Sequence, residues 1–432
     1  MPLKHTVEEI KLNNGAKGLL IDVPGSTAVT CYFGFRAGHS YSDRSIEETS
    51  HIMEHMMIGA NGTYPSQEAY YQEFTKNGAS LNAHTSTINM IYDAVLPIID
   101  YERILDLTKI AMESPLFTKE ILESEKGNVR EELTGKLSDY SRLLWQTVHI
   151  AMGGDWVIDQ EKIETIDRVT LDDIIAHYNK THTLKNMRFI LAGDIASHRD
   201  STISKLESWS MPSGERLPSK QYVPKMSAPI RIFKEDLKSL IFAVNIVIPR
   251  ELSQSEETAM GGLCHILTGT FYSKIFGKAR KMGICYAMGS SSGNDNDGTS
   301  HFRFYGRVKP DNAEALFDLI VDELKKINEI SDSELSAAKQ YAIGGYQLRG
   351  QTVRSLCDWY GGYYFNNETI DPIETALDRI KASSLDDINR LAKEFLETGY
   401  WCVGCIGDLS QEQIDSYSHK LSEVLKRRAD QE

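Results

Sequence analysis

No run of this sequence is apolar for long enough to cross a membrane, and the first ten residues lack the hydrophobic region of a secretory signal. The first arginine is Arg36, so the chain also lacks the Arg-rich start of a mitochondrial presequence. The six cysteines are scattered, except for Cys402 and Cys405, and this distribution favours a reducing compartment. We therefore expect a cytoplasmic protein that has no membrane partner.

Positive charge is scarce as well. Lys and Arg number 47 against 61 Asp and Glu, so the formal net charge is −14. A surface that binds nucleic acid needs clustered Lys and Arg, which makes nucleic acid an improbable partner class. The apolar content of 41% is ordinary for a globular protein, and 432 residues exceed what one hydrophobic core usually serves. These numbers predict at least two globular domains.

The sequence does contain one dense group of potential metal ligands, His51-Ile52-Met53-Glu54-His55. On a helix, His51 and His55 share a face, so that two imidazoles can bind one ion. Glu54 lies almost on that face, beside the ion, where a carboxylate can activate water. The order H-x-x-E-H is the inverse of the zincin motif H-E-x-x-H. The alternative is two surface histidines on a polar helix.

A catalytic zinc needs three protein ligands and one open position, so a third ligand must come from elsewhere. The charged segment 123–133 carries Glu125 and Glu132, which lie seven residues apart on one helix face. Spacing alone favours a solvated acidic face for this segment. The residues by themselves therefore leave the third ligand open.

The second half of the chain repeats features of the first. Leu171-Asp172-Asp173-Ile174 returns 214 residues later at 385–388, and Gly193-Asp194 returns at 407–408 with the same offset. Upstream, Glu47-Glu48-Thr49 returns 209 residues later at 256–258. These matches predict a duplicated domain. Under the 209-residue offset, the zinc motif falls on Met260, Leu263 and Cys264, so only the first copy can bind metal.

A stretch rich in Pro, Ser and Gly separates the two copies and predicts the domain borders. We predict a catalytic domain over 1–207, a linker over 208–228 and a homologous domain without metal over 229–432. The fold class is α+β, with two tandem domains that each have a mostly antiparallel sheet and helices packed on one face. Apolar patterns predict strands over 18–23, 28–36, 79–86, 89–96 and 187–193, and helices over 101–114 and 118–151.

The zinc motif and its surroundings resemble the pitrilysin/insulinase family of inverzincin metallopeptidases, and within it the short members similar to mitochondrial processing peptidase β subunits and bacterial homologues. The resemblance implies one Zn²⁺ per chain, held by His51, His55 and Glu132, with 76 residues between His55 and Glu132. It implies Glu54 as the general base and Glu125 as a further important carboxylate. The family often has Gly three residues before the first histidine, where this sequence has Glu48.

Two further segments match the family pattern. Asn82 and Ala83 correspond to the strand that binds the substrate backbone. Arg280 and Tyr286 resemble a pair that reaches the substrate from the second half. They lie six residues apart here, whereas many members have seven, and Ala279 occupies the seventh position. The register of Arg280 therefore stays open.

The resemblance implies a zinc endopeptidase or oligopeptidase that hydrolyses unfolded peptides inside a chamber. It also implies that two chains pair, as a homodimer or as a heterodimer with an inactive homologue. The alternative is a scaffold or partner subunit of a processing-peptidase-like complex that has no turnover. Because a scaffold needs no general base, Glu54 favours the enzyme.

Overall fold

The structure is a computed structural model that describes residues 2–426. The strands are β1 (Thr6–Lys11), β2 (Lys17–Asp22), β3 (Ala28–Arg36), β4 (Ser80–Thr85), β5 (Asn89–Pro97), β6 (Met187–Gly193), β7 (Ile230–Phe233), β8 (Leu240–Ile248), β9 (Cys285–Asn294), β10 (Ser300–Val308) and β11 (Tyr400–Gly407).

The α-helices lie between groups of these strands, in several places as runs of consecutive helices. In the first half they are α1 (Thr49–Met57), α2 (Gln67–Thr75), α3 (Tyr101–Glu113), α4 (Lys119–Lys136), α5 (Tyr140–Ala151), α6 (Asp159–Thr165), α7 (Leu171–Thr181) and α8 (Arg199–Glu207). In the second half they are α9 (Gln254–Thr268), α10 (Phe276–Lys281), α11 (Pro310–Lys325), α12 (Asp332–Leu348), α13 (Val353–Asn367), α14 (Thr375–Ala382), α15 (Leu385–Thr398) and α16 (Gln411–Ser422). Among residues 2–426, no helix combines the length and apolar character that a membrane crossing requires.

The two sheets have the same strand order, which confirms the predicted pair of homologous α+β domains. The first sheet runs β1-β2-β6-β3-β5-β4 and the second runs β7-β11-β8-β10-β9. Without β1, each position in the first sheet has a counterpart in the second. Both sheets are mostly antiparallel, since only β2–β6 and β7–β11 pair in parallel. In both, the strand that follows the helix equivalent to α1 ends up at an edge.

The repeated sequence motifs have a local structural reason. Thr170 caps α7 by accepting a hydrogen bond from the Asp173 amide at 3.2 Å, and Ser384 caps α15 by accepting one from the Asp387 amide at 3.1 Å. Each Leu-Asp-Asp-Ile therefore begins a helix. The repeated glycines end β6 and β11 with φ of +154° and +150°, backbone conformations that favour glycine.

Most helices pack on one face of their sheet, as predicted. Along β3, the alternate residues Cys31, Phe33 and Phe35 belong to the core of the first sheet. Along β8, Phe242, Val244 and Ile246 belong to the core of the second. These cores hold most of the buried apolar side chains.

The predicted single helix over 118–151 is wrong. The structure has two helices there, because α4 ends at Lys136 and α5 begins at Tyr140. The side chain of Asp139 accepts hydrogen bonds from the amides of Ser141 and Arg142 and so begins the second helix. This break lets α5 leave the domain that precedes it in sequence.

The two compact units of the chain exchange one helix each. The first unit consists of the chain up to Gly135 with residues 159–220 and 347–374, and so contains α13. The second consists of residues 136–158 and 221–346 and the chain from Thr375 onward, and so contains α5. The predicted borders at 207 and 229 stay a prediction for the sequence repeat, whereas the packing units are discontinuous in sequence.

The exchanged helices cover the second face of each sheet. Leu144 and Val148 of α5 pack with Ile241 and Ala243, which alternate with the core residues of β8. In both units a glycine permits this approach. A Cβ on Gly34 would lie 2.6 Å from the Phe365 ring of α13, and one on Gly404 would lie 2.7 Å from Val148. Each helix is therefore required to complete a sheet that its neighbours in sequence do not form.

Candidate metal centre

Helix α1 carries the motif and is anchored by its apolar residues. Ile52, Met53, Met56 and Met57 are buried in the core of the first unit. This leaves the remaining face for the two histidines, whose rings lie 5.0 Å apart between centroids. The i, i+4 spacing thus places the imidazoles side by side, as expected from the sequence.

Helix α4 brings the third predicted ligand to the same point. The Glu132 Oε2 lies 3.4 Å from the Nε2 of His51 and 3.8 Å from the Nε2 of His55. Two ligand atoms on a tetrahedral zinc lie about 3.3 Å apart, from metal–ligand distances of roughly 2.0–2.1 Å. One oxygen and two imidazole nitrogens that converge within 4.8 Å therefore fit a zinc ion by donor type and by spacing.

Each histidine has a carboxylate behind it. The Nδ1 of His51 lies 2.8 Å from the Oε2 of Glu48, and the Nδ1 of His55 lies 3.0 Å from the Oε2 of Glu125. An ionised carboxylate only accepts, so each Nδ1 carries a hydrogen, and each Nε2 is left as the nitrogen that can give its lone pair to a metal. Asn128 donates to the same oxygen of Glu125 at 3.0 Å. Glu125 thus lies behind His55 and outside the group of three converging ligand atoms.

Glu54 is buried but has a specific partner. Its side chain is 5% exposed, and its Oε2 accepts a hydrogen bond of 2.6 Å from the hydroxyl of Thr85. Thr85 is the last residue of the edge strand β4. The carboxylate is therefore tied to the strand that carries Asn82 and Ala83.

The charges around His51 favour a cation at this point. Burial opposes protonation of His51, but its hydrogen bonds to Glu132 and Glu48 outweigh burial and raise the pKa to about 9. The hydrogen bond from His55 lowers the pKa of Glu125, and burial opposes that shift. The carboxylates around the two histidines thus stabilise positive charge at this point, and a divalent ion would supply such a charge.

A second cluster, His39 with Glu47 and Glu48, also has metal-like spacing. Here the Lys162 ammonium lies 3.1 Å from Glu47 and 3.0 Å from Glu48 and takes the position that a cation would occupy. Burial lowers the pKa of His39 to about 3 and so keeps this imidazole neutral. Burial also opposes the charge on Lys162, but the carboxylates of Glu48 and Glu47 outweigh it and raise the pKa of the ammonium. We therefore interpret this cluster as an internal ion pair.

The predicted substrate strand is at a sheet edge. Strand β4 pairs only with β5 within the sheet, and its residues alternate between exposed and half-buried. The Asn82 amide donates to the buried Asp93 at 3.0 Å, and Arg354 of α13 pairs with the other oxygen of Asp93 at 3.1 Å. Asn82 and Ala83 therefore lie on an edge strand whose outer side pairs with no other strand among residues 2–426.

Arg280 and Tyr286 belong to the second unit and contact each other. The Arg280 guanidinium lies 4.3 Å from the Tyr286 ring centre and donates to the Tyr286 carbonyl at 3.1 Å. The Tyr286 side chain is 80% exposed. Ala279, the alternative register for the arginine, is buried. The role of the pair in the reaction stays a prediction.

Sequence reasoning missed several residues of this site. Glu48 is noticeable in the sequence only as a departure from the family's glycine, while Thr85 and Lys162 carry no local signal. Thr85 lies 31 positions from Glu54, and Lys162 more than a hundred from Glu48. Only the spacing of three between Glu48 and His51 could have indicated a contact.

Comparisons with known proteins agree with this geometry. The family model described as Insulinase (Peptidase family M16) matches residues 19–154, and the model described as Peptidase M16 inactive domain matches residues 168–341. The first range contains all three predicted ligands. The second covers most of the copy that has no metal motif.

Relatives span nearly the whole chain. An uncharacterized zinc protease of Rickettsia felis is 22% identical over 408 residues, which are 92% of this chain and 96% of the relative. The protein called non-peptidase homolog YmxG of Helicobacter pylori is 23% identical over 384 residues, 85% of this chain and 86% of the relative. Zinc proteases and a non-peptidase thus both resemble this chain.

Solved structures share the fold. A protease from Helicobacter pylori superimposes with a TM-score of 0.82 at 17% identity, over 94% of this chain and 100% of that one. A structure titled peptidase M16 inactive domain from Pseudomonas fluorescens gives a TM-score of 0.81 at 16% identity, over 94% and 99%. With two matching family models, an inverted zinc motif and a shared duplicated fold, the chain belongs to the insulinase family of zinc peptidases, family M16.

Proposed function

We propose that this chain is a zinc-dependent endopeptidase or oligopeptidase that hydrolyses extended peptides. The observation that carries the proposal is the presence of Glu54 beside the complete ligand set. A structural zinc site needs no buried carboxylate next to its ligands, because its coordination is closed by protein groups. Here three ligands leave a fourth position, and Glu54 is adjacent to it in sequence and on the helix.

When bound, zinc would polarise the scissile carbonyl and lower the pKa of a water molecule. Glu54 would accept a proton from the attacking water and transfer it to the leaving amine. The Thr85 hydroxyl would keep the Glu54 carboxylate at a constant position between these transfers. Glu125 would hold His55 in the tautomer that presents its Nε2.

The edge strand β4 supports an extended peptide as substrate. Its unpaired side can add one more strand, in which the peptide backbone is recognised through main-chain hydrogen bonds and so with little dependence on sequence. Asn82 and Ala83 lie in the middle of β4, and Thr85 connects this strand to Glu54. Binding and proton transfer would therefore take place on adjacent parts of one unit.

A quenched-fluorescence peptide assay and a casein assay, each with and without chelator, test the proposal. We expect hydrolysis by the zinc-loaded chain, its loss with chelator and its return with added zinc. A chain that binds zinc but cleaves none of these substrates would instead support the scaffold, which the relative called non-peptidase homolog makes the second candidate. Static light scattering in the same buffers would test our further proposal that two chains pair.

A further inference from the structure

We propose that Glu48 is a positioning residue for the metal ligand His51, and that Lys162 holds Glu48 in place. The inference rests on the zinc-binding part of the proposed function and is independent of turnover. It assigns a role to the position at which this sequence departs from the resemblance described above.

The geometry at Glu48 divides its two oxygens between two partners. Its Oε2 lies 2.8 Å from the Nδ1 of His51, and its Oε1 lies 3.0 Å from the Lys162 ammonium. The latter contact is an ion pair rather than an aligned hydrogen bond. The side chain is 1% exposed, so no water competes for either oxygen. A carboxylate with one buried partner on each oxygen has little freedom to rotate.

The backbone at Glu48 adds to this rigidity. Glu48 directly precedes α1, and its carbonyl accepts a hydrogen bond of 2.9 Å from the Ile52 amide. A carboxylate at a helix N-terminus is also stabilised by the helix dipole. His51 is three residues further on, so its imidazole lies over the first turn. Glu48 is thus held at the backbone and at both oxygens.

The consequence for His51 is a fixed tautomer and ring orientation. A carboxylate on Nδ1 keeps the hydrogen there and leaves the lone pair of Nε2 for the metal. His55 receives the same support from Glu125 at 3.0 Å. Both histidines of the motif therefore have a buried carboxylate behind them, one from the start of their own helix and the other from α4.

Lys162 keeps the charge in balance. Without it, Glu47 and Glu48 would be two buried carboxylates side by side, with exposures of 6% and 1%. Such a pair is expelled or protonated unless a cation lies between the two groups. The ammonium of Lys162, itself 7% exposed, lies within 3.1 Å of both. It therefore keeps Glu48 ionised and able to accept from His51.

Glu47 provides a matched control. It is buried and pairs with the same ammonium, and it also lies 3.9 Å from the Nδ1 of His39, which is not one of the predicted ligands. The comparison is Glu48→Gln against Glu47→Gln in the full chain. A Gln at 48 has a single oxygen and cannot accept from His51 and pair with Lys162 together. Both variants weaken the ion pair, and only one of them affects a metal ligand.

The measurement is the zinc dissociation constant, obtained by competition with a chromophoric chelator, together with the visible spectrum of the Co²⁺-substituted protein. We expect Glu48→Gln to weaken zinc binding about 10–100-fold and to change the cobalt spectrum. Glu47→Gln should keep the wild-type affinity and spectrum, although its melting temperature falls as well. Glu48→Asp, whose oxygen withdraws by about 1.5 Å while keeping its charge, should weaken zinc in the same direction and serves if the Gln variant does not fold.

Wild-type zinc affinity in Glu48→Gln or Glu48→Asp would overturn the inference. Equal losses in the Glu47 and Glu48 variants would also overturn it, since they would trace the effect to the ion pair alone. A wild-type chain that binds no zinc overturns both this inference and the proposed function. Zinc binding without peptide hydrolysis overturns the peptidase proposal alone, and the affinity comparison then still decides the role of Glu48.

Discussion

Helix α1 in the first unit and helix α9 in the second occupy the same place in the repeat and use it differently. His51, Glu54 and His55 correspond to Met260, Leu263 and Cys264 under the 209-residue offset. The side chains on α9 are packed into the core, with exposures of 0%, 0% and 8%.

Burial alone does not separate the two helices, because Glu54 is only 5% exposed. The difference lies in the partners: Glu54 has the Thr85 hydroxyl, and both histidines have a carboxylate on Nδ1. A polar face on a packed helix therefore needs partners from other elements, and in the first unit α4, α6 and β4 supply them. The second copy has the same fold, but the equivalent face of α9 is apolar and needs no such partners.

The largest effect should come from separating α13 from the first sheet and α5 from the second. Residues 1–207 expressed alone would lack α13 and contain α5 without its sheet, so that one face of the first sheet and the apolar side of α5 would be exposed. We expect an aggregating or unfolded product. Circular dichroism and size exclusion would check this, with the same fragment plus an added 347–374 peptide as control. A monomeric fragment with a cooperative melt would show that α13 is dispensable.

Placing a carboxylate on α9 and an apolar side chain at the equivalent position on α1 tests the comparison of these two helices directly. Leu263→Glu would place an unpaired carboxylate in the second core and should cost several kcal/mol of unfolding free energy. Glu54→Leu should retain the fold, because an apolar side chain suits a position that is 5% exposed. Urea denaturation of both variants is the measurement. Comparable losses would mean that the partners of Glu54 contribute as much as the apolar core around Leu263.

Glu54→Gln isolates the chemistry. We expect zinc content and melting temperature to stay at wild-type values while kcat falls by about 10²–10⁴-fold, because only the proton acceptor is lost. Metal analysis after dialysis and a peptide assay would be made on one preparation. Wild-type turnover in this variant would remove Glu54 from the mechanism.

Thr85→Val should have a smaller effect on the same group. Valine keeps the shape of the side chain but cannot donate to Glu54, and a hydrogen bond to a charged group contributes about 1.5–3 kcal/mol. We expect kcat to fall about 10-fold with zinc affinity unchanged. Thr30→Val, on β3 of the same sheet, removes a buried hydroxyl that does not contact Glu54 and is the control for the loss of a hydroxyl from this sheet. Equal effects of the two substitutions on kcat would argue against a specific role of Thr85.

The smallest effect should come from substituting Asp297 of the second unit, whose carboxylate has hydroxyl and amide donors in place of a cation. Burial raises the pKa of Asp297 to about 6, against the opposing hydrogen bonds from Thr299. Its stabilising contribution is thus complete below about pH 4 and is lost as the pH rises through about 6. At pH 7 the unfolding free energy of Asp297→Asn should therefore exceed that of the wild type by about 1 kcal/mol. Near pH 3.5 the two proteins should be equally stable. A constant difference across this range would exclude titration of Asp297 as the cause.

Much of the metal centre could be predicted from local sequence. The i, i+4 histidines need only one helix to meet, and the caps at Thr170 and Ser384 follow from one turn of backbone. Glu132 needed more: its spacing indicated a helix face, and only the family resemblance indicated that this face meets α1. Thr85 and Lys162 could not be predicted, because their contacts depend on how β4 and α6 pack against α1.

The sequence by itself determined the two histidines that can bind metal, which copy carries them and where most helices and strands begin, since these depend on side-chain chemistry and on short-range backbone hydrogen bonds. The division of the predicted helix 118–151 at Asp139 has a local cause, whereas the tertiary structure alone decided that α5 packs on the second sheet and α13 on the first. It also decided that Glu48, which the family pattern leaves without a role, lies between His51 and Lys162. These features depend on packing between residues far apart in sequence. Burying an apolar sheet face or pairing a buried charge requires groups that no local pattern brings together.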